Sequence, residues 1–197
     1  MDRIYRIINE IKEYGIKNEV PIMSEETIET IKNIITQNNI KSILEIGTAI
    51  AYSTICFASV NGVNKITSIE RDKVRYSIAK NNVINSKLNN IELICDDALN
   101  TNIDGIYDLL IIDAAKSQNL KFFNKYKNNI KDSGIIIIDN LDFHGYVGKS
   151  SEIKSRNLRQ MVRKIEKFID FLDNNQEYDV EYIEVGDKLG ICRKKNL

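Results

Sequence analysis

The sequence predicts an α/β protein built on a doubly wound, mostly parallel sheet of seven strands that ends in a C-terminal antiparallel hairpin. Three observations predict it. Short runs dominated by Ile and Leu, such as 107–112 and 135–138, recur along the middle of the chain. Nearly continuous apolar strands of this kind belong to parallel sheets covered on both faces. Helix-period stretches separate these runs, which is the pattern of successive βαβ units. The last two strand-like segments, 178–185 and 189–193, are joined through Gly186 and Asp187, a hairpin signal.

The first forty residues read as two helices. Ile4, Ile7, Ile8 and Ile11 recur at helical spacing toward Gly15, and Pro21 marks a break. Ser24 ahead of Glu25 and Glu26 reads as an N-cap with a first turn that complements the helix dipole, and Ile28, Ile31, Ile34 and Ile35 supply the buried face. Strands then follow at 42–46, 65–69, 91–94, 107–112 and 135–138, with helices at 53–59, 72–85 and 120–129. A polar, Gly-containing loop over 140–150 leads to a long helix over about 151–174. With no repeat, Pro-rich linker or low-complexity segment, 1–197 reads as one domain, in which 1–40 supply the N-terminal helices and 41–197 the sheet core.

Composition narrows the function classes. The 197 residues hold 28 Lys+Arg against 28 Asp+Glu and are 43% apolar, which excludes disordered, collagen-like and disulfide-framework chains. No apolar run approaches the roughly 20 residues needed to cross a bilayer, and the N-terminus mixes charge into every turn. A cytoplasmic protein without membrane contact is expected. Cys56, Cys95 and Cys192 are odd in number and far apart, which predicts buried thiols and argues against zinc. Zero net charge means that any nucleic-acid contact must come from a local basic patch.

In an open parallel sheet, ligands bind beyond the carboxyl ends of the strands. The first such end reads LEIGTAIAYS, residues 44–53, where Gly47 lets backbone approach a ligand and Ser53 offers a hydroxyl. The dinucleotide pattern GxGxxG is absent, which disfavours a pyrophosphate cradle. Glu70 ends the second strand, about twenty residues on, where an acid accepts from ribose hydroxyls. Asp97 follows the third, placed to meet an adenine edge. Singly each signal is weak, and a solvated charge at a strand end is the alternative for Glu70. Together they suit a ribose and a base with little phosphate, which fits S-adenosyl-L-methionine better than a dinucleotide.

The fourth and fifth strands end at Asp113 and at Asp139–Asn140. If the two strands are neighbours, two carboxylates and one amide converge, a set that suits a hard cation such as Mg2+ with open positions left. The plainer alternative is that Asp139 and Asn140 only begin a loop. Lys116, three residues beyond Asp113, can reach an oxygen bound to the same metal as base or oxyanion partner, or be a surface lysine. His144, the single His, follows the metal motif and reads as a loop or substrate-contact residue rather than a catalytic base.

These motifs occur in one order along nearly the whole chain: VPIM, LEIGTAIAYS, SIERD, DDAL, IIDAAK, IIIIDN, FHGYV and GDKLGI. The chain thereby resembles the metal-dependent O-methyltransferases related to catechol and caffeoyl-CoA enzymes. Within that group it is most similar to the bacterial tRNA 5-hydroxyuridine methyltransferases. The resemblance implies the Rossmann-like fold of class I methyltransferases and a homodimer. It implies that Met23, Gly47, Ser53, Glu70, Asp97 and Asp113 contact S-adenosyl-L-methionine, that Asp113, Asp139 and Asn140 bind Mg2+, and that Lys116 and Asp113 act at the acceptor. One departure stands in the ExGxxxGxS pattern, where Ala51 replaces the usual Gly.

Residues 149–167 carry Lys149, Lys154, Arg156, Arg159, Arg163, Lys164 and Lys167 against Glu152 and Glu166. Arg156, Arg159 and Arg163 are expected to share a helix face, which is either an RNA-phosphate track or a solvated surface. Phe143, Tyr146 and Tyr5 are candidates to stack on an unstacked base of the tRNA anticodon loop, or are core residues. Three functions stay open at this level: methylation of the tRNA wobble 5-hydroxyuridine, methylation of a small catechol or phenylpropanoid, and a non-catalytic module that binds S-adenosyl-L-methionine or RNA.

Overall fold

The computed structural model describes residues 3–195. It divides into two compact units, one ending at Ile103 and one beginning at Asp104. The seven strands belong to one mixed sheet, ordered β3-β2-β1 within the first unit and β4-β5-β7-β6 within the second.

The first unit runs α1 (Arg3–Lys17), α2 (Glu25–Gln37), β1 (Ser42–Ile46), α3 (Tyr52–Ala58), β2 (Lys65–Glu70), α4 (Lys73–Ser86) and β3 (Ile91–Cys95). Ile7 and Ile11 bury the inner face of α1, and Gly15, in its last turn, lies against Ile22, whose Cγ2 would lie 3.2 Å from an added Cβ. Ser24 caps α2 as expected, its Oγ accepting from the Thr27 N–H at 3.1 Å. β1 pairs parallel with β2, and β2 with β3. Ile43, Leu44, Ile46, Ile66 and Ile69 are all but sealed from water, as two-sided cover requires.

The second unit runs β4 (Tyr107–Ile112), α5 (Asn119–Tyr126), β5 (Ile130–Ile138), α6 (Arg156–Asp173), β6 (Tyr178–Ile183) and β7 (Leu189–Lys194). β4 and β5 are parallel, β7 returns antiparallel to β5, and β6 pairs antiparallel with β7, so the predicted hairpin is present. Leu109–Ile112 and Ile135–Ile138 form its centre. Beside them Phe123 meets Phe168, Phe171 and Tyr178 edge-on, with centroids 6.0, 5.6 and 5.3 Å away.

Two elements differ most from expectation; α5 also stops at Tyr126, short of 129, where a 3-10 turn (Lys127–Asn129) follows, and β6 stops at Ile183 rather than 185. β5 starts at Ile130 rather than 135, because its first half crosses a register shift against β4 between Tyr107 and Leu109. Gly134 serves that shift, since a Cβ there would stand 2.8 Å from the Asp108 carbonyl oxygen. The long helix predicted from 151 starts at Arg156. A short 3-10 turn (Ser150–Glu152) precedes it, and Ser155 caps it by accepting from the Leu158 N–H at 3.4 Å.

All three thiols are free, but the expectation of uniform burial fails at Cys95, which is exposed where β3 ends half-covered. Burial pushes the Cys56 and Cys192 thiols up to about 12. Among the described residues no helix is long and apolar enough to cross a membrane. Replacing Phe123 with Ala removes the ring that three aromatic neighbours share and is expected to cost about 4 kcal/mol of folding stability, read as a lower urea midpoint.

Candidate functional site

In the first unit, the chain leaves β1 through a loop held in an unusual backbone shape. Gly47, Ala49 and Ala51 have φ of 106, 48 and 66°. The Gly47 N–H donates to the Ile69 carbonyl at 3.0 Å, the Ala51 N–H to the Thr48 carbonyl at 2.8 Å, and the Asn82 amide to the Ile50 carbonyl at 2.8 Å. Glu70, at the end of β2 and only 7% exposed, fastens the loop: its Oε2 accepts from the Ala49 N–H and its Oε1 from the Asp72 N–H, both at 2.8 Å. Gly47 and Glu70 are thus brought together around one concave turn of backbone. Ala51 stands fully buried in the left-handed region, so its departure from Gly falls where a side chain is least welcome.

Ser53 lies one helical turn on, but its hydroxyl is directed at another partner. It donates to Glu45 Oε1 at 2.7 Å, while Glu45 Oε2 accepts from Thr54 Oγ1 and, at 2.5 Å, from Ser68 Oγ. Glu45 is completely buried, and this collar of hydroxyls lets the carboxylate stay there. Its role was missed from sequence because Ser68 is on the next strand, and only the β1–β2 register, Glu45 opposite Ser68, reveals the set. Met23 is buried just ahead of the α2 cap. Asp97 is half-buried, and its carboxylate Oδ1 accepts from the Leu99 N–H at 2.8 Å, closing an Asx-type turn of its own.

In the second unit, the Asp139 N–H donates to the Ile112 carbonyl at 3.0 Å, which sets the residues after β4 and β5 side by side. Lys116 Nζ lies 2.5 Å from Asp113 Oδ1, the two side chains being 13% and 21% exposed. Asp139 is 3% exposed and accepts the Asn140 N–H at 2.7 Å. Burial first, and then the charge of Asp113, hold the Asp139 carboxyl well above the usual carboxylate range, with Lys116 working against them. Asp113, Lys116 and Asp139 therefore lie close together, and Asn140 joins them through its backbone N–H. Asn140 itself turns the chain at φ 63°.

This donor set fits a cation. Two acids close enough to repel share one ammonium, so the repulsion is relieved by a proton on Asp139 or by a bound cation, and a divalent ion would fill the second role. No group of three or more His, Cys, Asp or Glu side chains gathers into a metal cage among the described residues, so the third protein ligand would be the neutral Asn140 amide. Sequence reasoning overlooked one neighbour of the cluster and one buried amide elsewhere in the unit. Asp187, in the β6–β7 turn, adds to the negative field at Asp139 and has its Oδ2 2.9 Å from His144 Nδ1. Asn119, the first residue of α5, is buried with both side-chain polar atoms unpartnered, and nothing in the sequence signals it.

His144, Phe143 and Tyr146 lie in the loop after Asn140. Phe143 is half-buried and Tyr146 exposed, and Tyr5 is exposed on α1, so none of the three aromatic candidates is a core residue. The basic face differs in one member. Arg159 is half-buried and its Nη1 donates to the Ile153 carbonyl at 3.3 Å, so it braces the start of α6 rather than facing outward with Arg156 and Arg163.

Residues 3–195 match the family model described as O-methyltransferase. The chain belongs to the O-methyltransferase family. As a methyltransferase it is 25% identical to tapetum-specific methyltransferase 1 of Arabidopsis thaliana over 98% of this chain and 88% of that protein. It is 25% identical to a caffeoyl-CoA O-methyltransferase of Populus kitakamiensis over 93% and 82%. A Staphylococcus aureus crystal structure, of a protein proposed to be a caffeoyl-CoA O-methyltransferase, is 38% identical with a TM-score of 0.90, covering 95% of this chain and 92% of that one. The O-methyltransferase from Bacillus cereus in complex with SAH shares the fold at 21% identity, a TM-score of 0.81 and coverage of 96% and 91%.

For this methyltransferase the buried Glu45 collar makes a direct test. Glu45→Ala strands three hydroxyl donors and is expected to lower folding stability by about 3 kcal/mol, read by chemical denaturation.

Proposed function

We propose that the protein transfers the methyl group of S-adenosyl-L-methionine to the 5-hydroxyl of 5-hydroxyuridine at the tRNA wobble position, giving 5-methoxyuridine, with Mg2+ as its metal. The observation that carries the metal-dependent part is the Asp113–Lys116–Asp139 cluster, whose two acids repel and share one ammonium. The ordered motifs that resemble the tRNA 5-hydroxyuridine enzymes support the acceptor, and the Bacillus cereus relative in complex with SAH supports the donor. When bound, S-adenosyl-L-methionine supplies an electrophilic methyl group, and the cation stabilises the anion of a hydroxyl held beside a second oxygen.

This chain's residues do the rest. Glu70 is fixed by two backbone N–H groups and keeps lone pairs for ribose hydroxyls. Gly47 admits the nucleoside close to the backbone, Met23 and Ser53 border it, and Asp97 faces the base. Asp113, Asp139 and Asn140 hold the cation, and Asp113 also meets the donor. A 5-hydroxyuracil offers its 5-hydroxyl beside the 4-carbonyl oxygen, as a catechol offers two hydroxyls, so both suit the same set of ligands. Lys116 stands beside the acceptor, where as the free amine it takes the hydroxyl proton, or as the ammonium it neutralises the oxygen once solvent water has taken that proton. Orientation of the two reactants then makes up most of the catalysis. The resemblance also implies a homodimer, and α1 exposes Tyr5, Tyr14 and Ile16 as candidate contact residues.

A small catechol or phenylpropanoid acceptor is the second reading, favoured by the caffeoyl-CoA activity named for the Populus relative. Mass spectrometry of tRNA nucleosides from cells lacking the protein separates the two. Accumulation of 5-hydroxyuridine with loss of 5-methoxyuridine is expected, and an unchanged profile overturns the tRNA reading. In purified protein, Asp139→Ala or chelation with EDTA is expected to lower turnover by about 100-fold or more, with added Mg2+ restoring the chelated wild type but not the variant. Turnover indifferent to both would remove the metal from the account.

A further inference from the structure

Helix α6 carries a cationic stripe that its own surroundings leave unbalanced. At about 100° per residue, Arg156, Arg163 and Lys167 fall within an arc of about 40°. That arc lies opposite the buried Val162, Ile165, Phe168 and Leu172. All three cations are exposed, Lys164 flanks them, and Lys149 and Lys154 extend the patch ahead of the helix. None of these six makes an ion pair among the described residues. Of the acids nearby, Glu166 accepts from the Gly148 N–H at 2.9 Å, Glu152 lies in the turn before the cap, and the exposed Asp170, three residues after Lys167, makes no ion pair among the described residues, so the stretch 149–167 keeps its surplus.

Residues 149–167 hold a surplus of five positive charges in a chain whose net charge is zero, so the remainder is net negative. A polyanion is therefore drawn to this stretch and repelled elsewhere. A neutral catechol has no use for such a surface. An anionic membrane is a poorer match as well, because a membrane-surface helix needs insertable apolar residues beside its cations, and those of α6 are turned into the core. The Glu166–Gly148 bond ties α6 to the loop that begins at Asn140, and that loop carries the exposed Tyr146 and His144.

We infer that the exposed face of α6 is the docking surface for the phosphate backbone of the tRNA anticodon arm, with Arg156, Arg163 and Lys167 as its phosphate contacts. This deepens the function proposed above and rests on it. The three contacts are spaced about 10 and 6 Å along the helix axis, by a 1.5 Å rise per residue, so they follow a strand rather than clamp one phosphate.

The test measures binding of full-length protein to an anticodon stem-loop RNA by fluorescence anisotropy over a salt series, for wild type and for the triple variant Arg156→Gln, Arg163→Gln, Lys167→Gln. The variant is expected to bind about tenfold or more weakly at low salt. The slope of log K against log salt should shrink by about 2, KM for RNA should rise while kcat at saturating RNA is kept, and restoring positive charge with Lys at all three positions should recover binding. Its melting temperature should match wild type, which separates lost docking from lost folding. An unchanged slope and KM in the variant, while wild type still methylates tRNA, overturns the inference alone. Tighter wild-type binding to phosphatidylserine vesicles than to the RNA, lost in the triple variant, overturns it in favour of a membrane. Methylation of free catechol but not of tRNA by wild type removes the proposed function, and the inference with it.

Discussion

Carboxylates buried against an apolar sheet are the constraint on which both units turn. An ionised acid out of water is tolerated only when its charge is answered by close polar partners, and the protein supplies those partners in two different ways. Around Glu45 the answer is complete: three hydroxyls converge on it, and the result is a rigid support beneath the loop that follows β1. Around Asp139 the answer is incomplete, with one backbone N–H and a lysine engaged by a neighbouring acid. The first arrangement belongs to architecture. The second leaves an acid whose carboxyl is held well above the usual range.

The same contrast explains which loops hold their shape. The loop after β1 is fastened by Glu70, Asn82 and the backbone of β2, each bond internal to the first unit. The loop after β5 is fastened through Leu141 and Asp142, whose N–H groups reach the carbonyls of Lys188 and Asp187 in the β6–β7 turn. The hairpin that ends the fold thus supports the residues just after Asn140 and brings Asp187 to the acidic cluster, although the turn is far from it in sequence.

Much of this was legible in the sequence, for identifiable reasons. β1 and β4 begin and end where they were read, because Ile and Leu dominate each, with Glu45 and Asp108 the interior exceptions, and Gly47 or Asp113 follows at once. The first half of β5 was not, because Lys131, Asp132, Ser133 and Gly134 carry no apolar signal and are placed by a bulge that only pairing defines. The start of α6 was misplaced because Ser151, Glu152 and Lys154 are acceptable in a helix, and the cap at Ser155 decides the matter locally. At the site, the strand-end acids could be found from topology alone. The true partner of Ser53 could not, because it depends on which face of β1 Glu45 occupies.

The left-handed residues after β1 settle when energy is spent. Ala49 and Ala51 hold a backbone that costs about 1–2 kcal/mol at each non-glycine position, and that cost is met once, as the chain folds and the bonds to Glu70 and Asn82 close around it. On the reading proposed above, a nucleoside arriving there would encounter a mould already set. Little ordering entropy would remain to be lost on association, and discrimination would rest on shape rather than on adaptive closure of that segment.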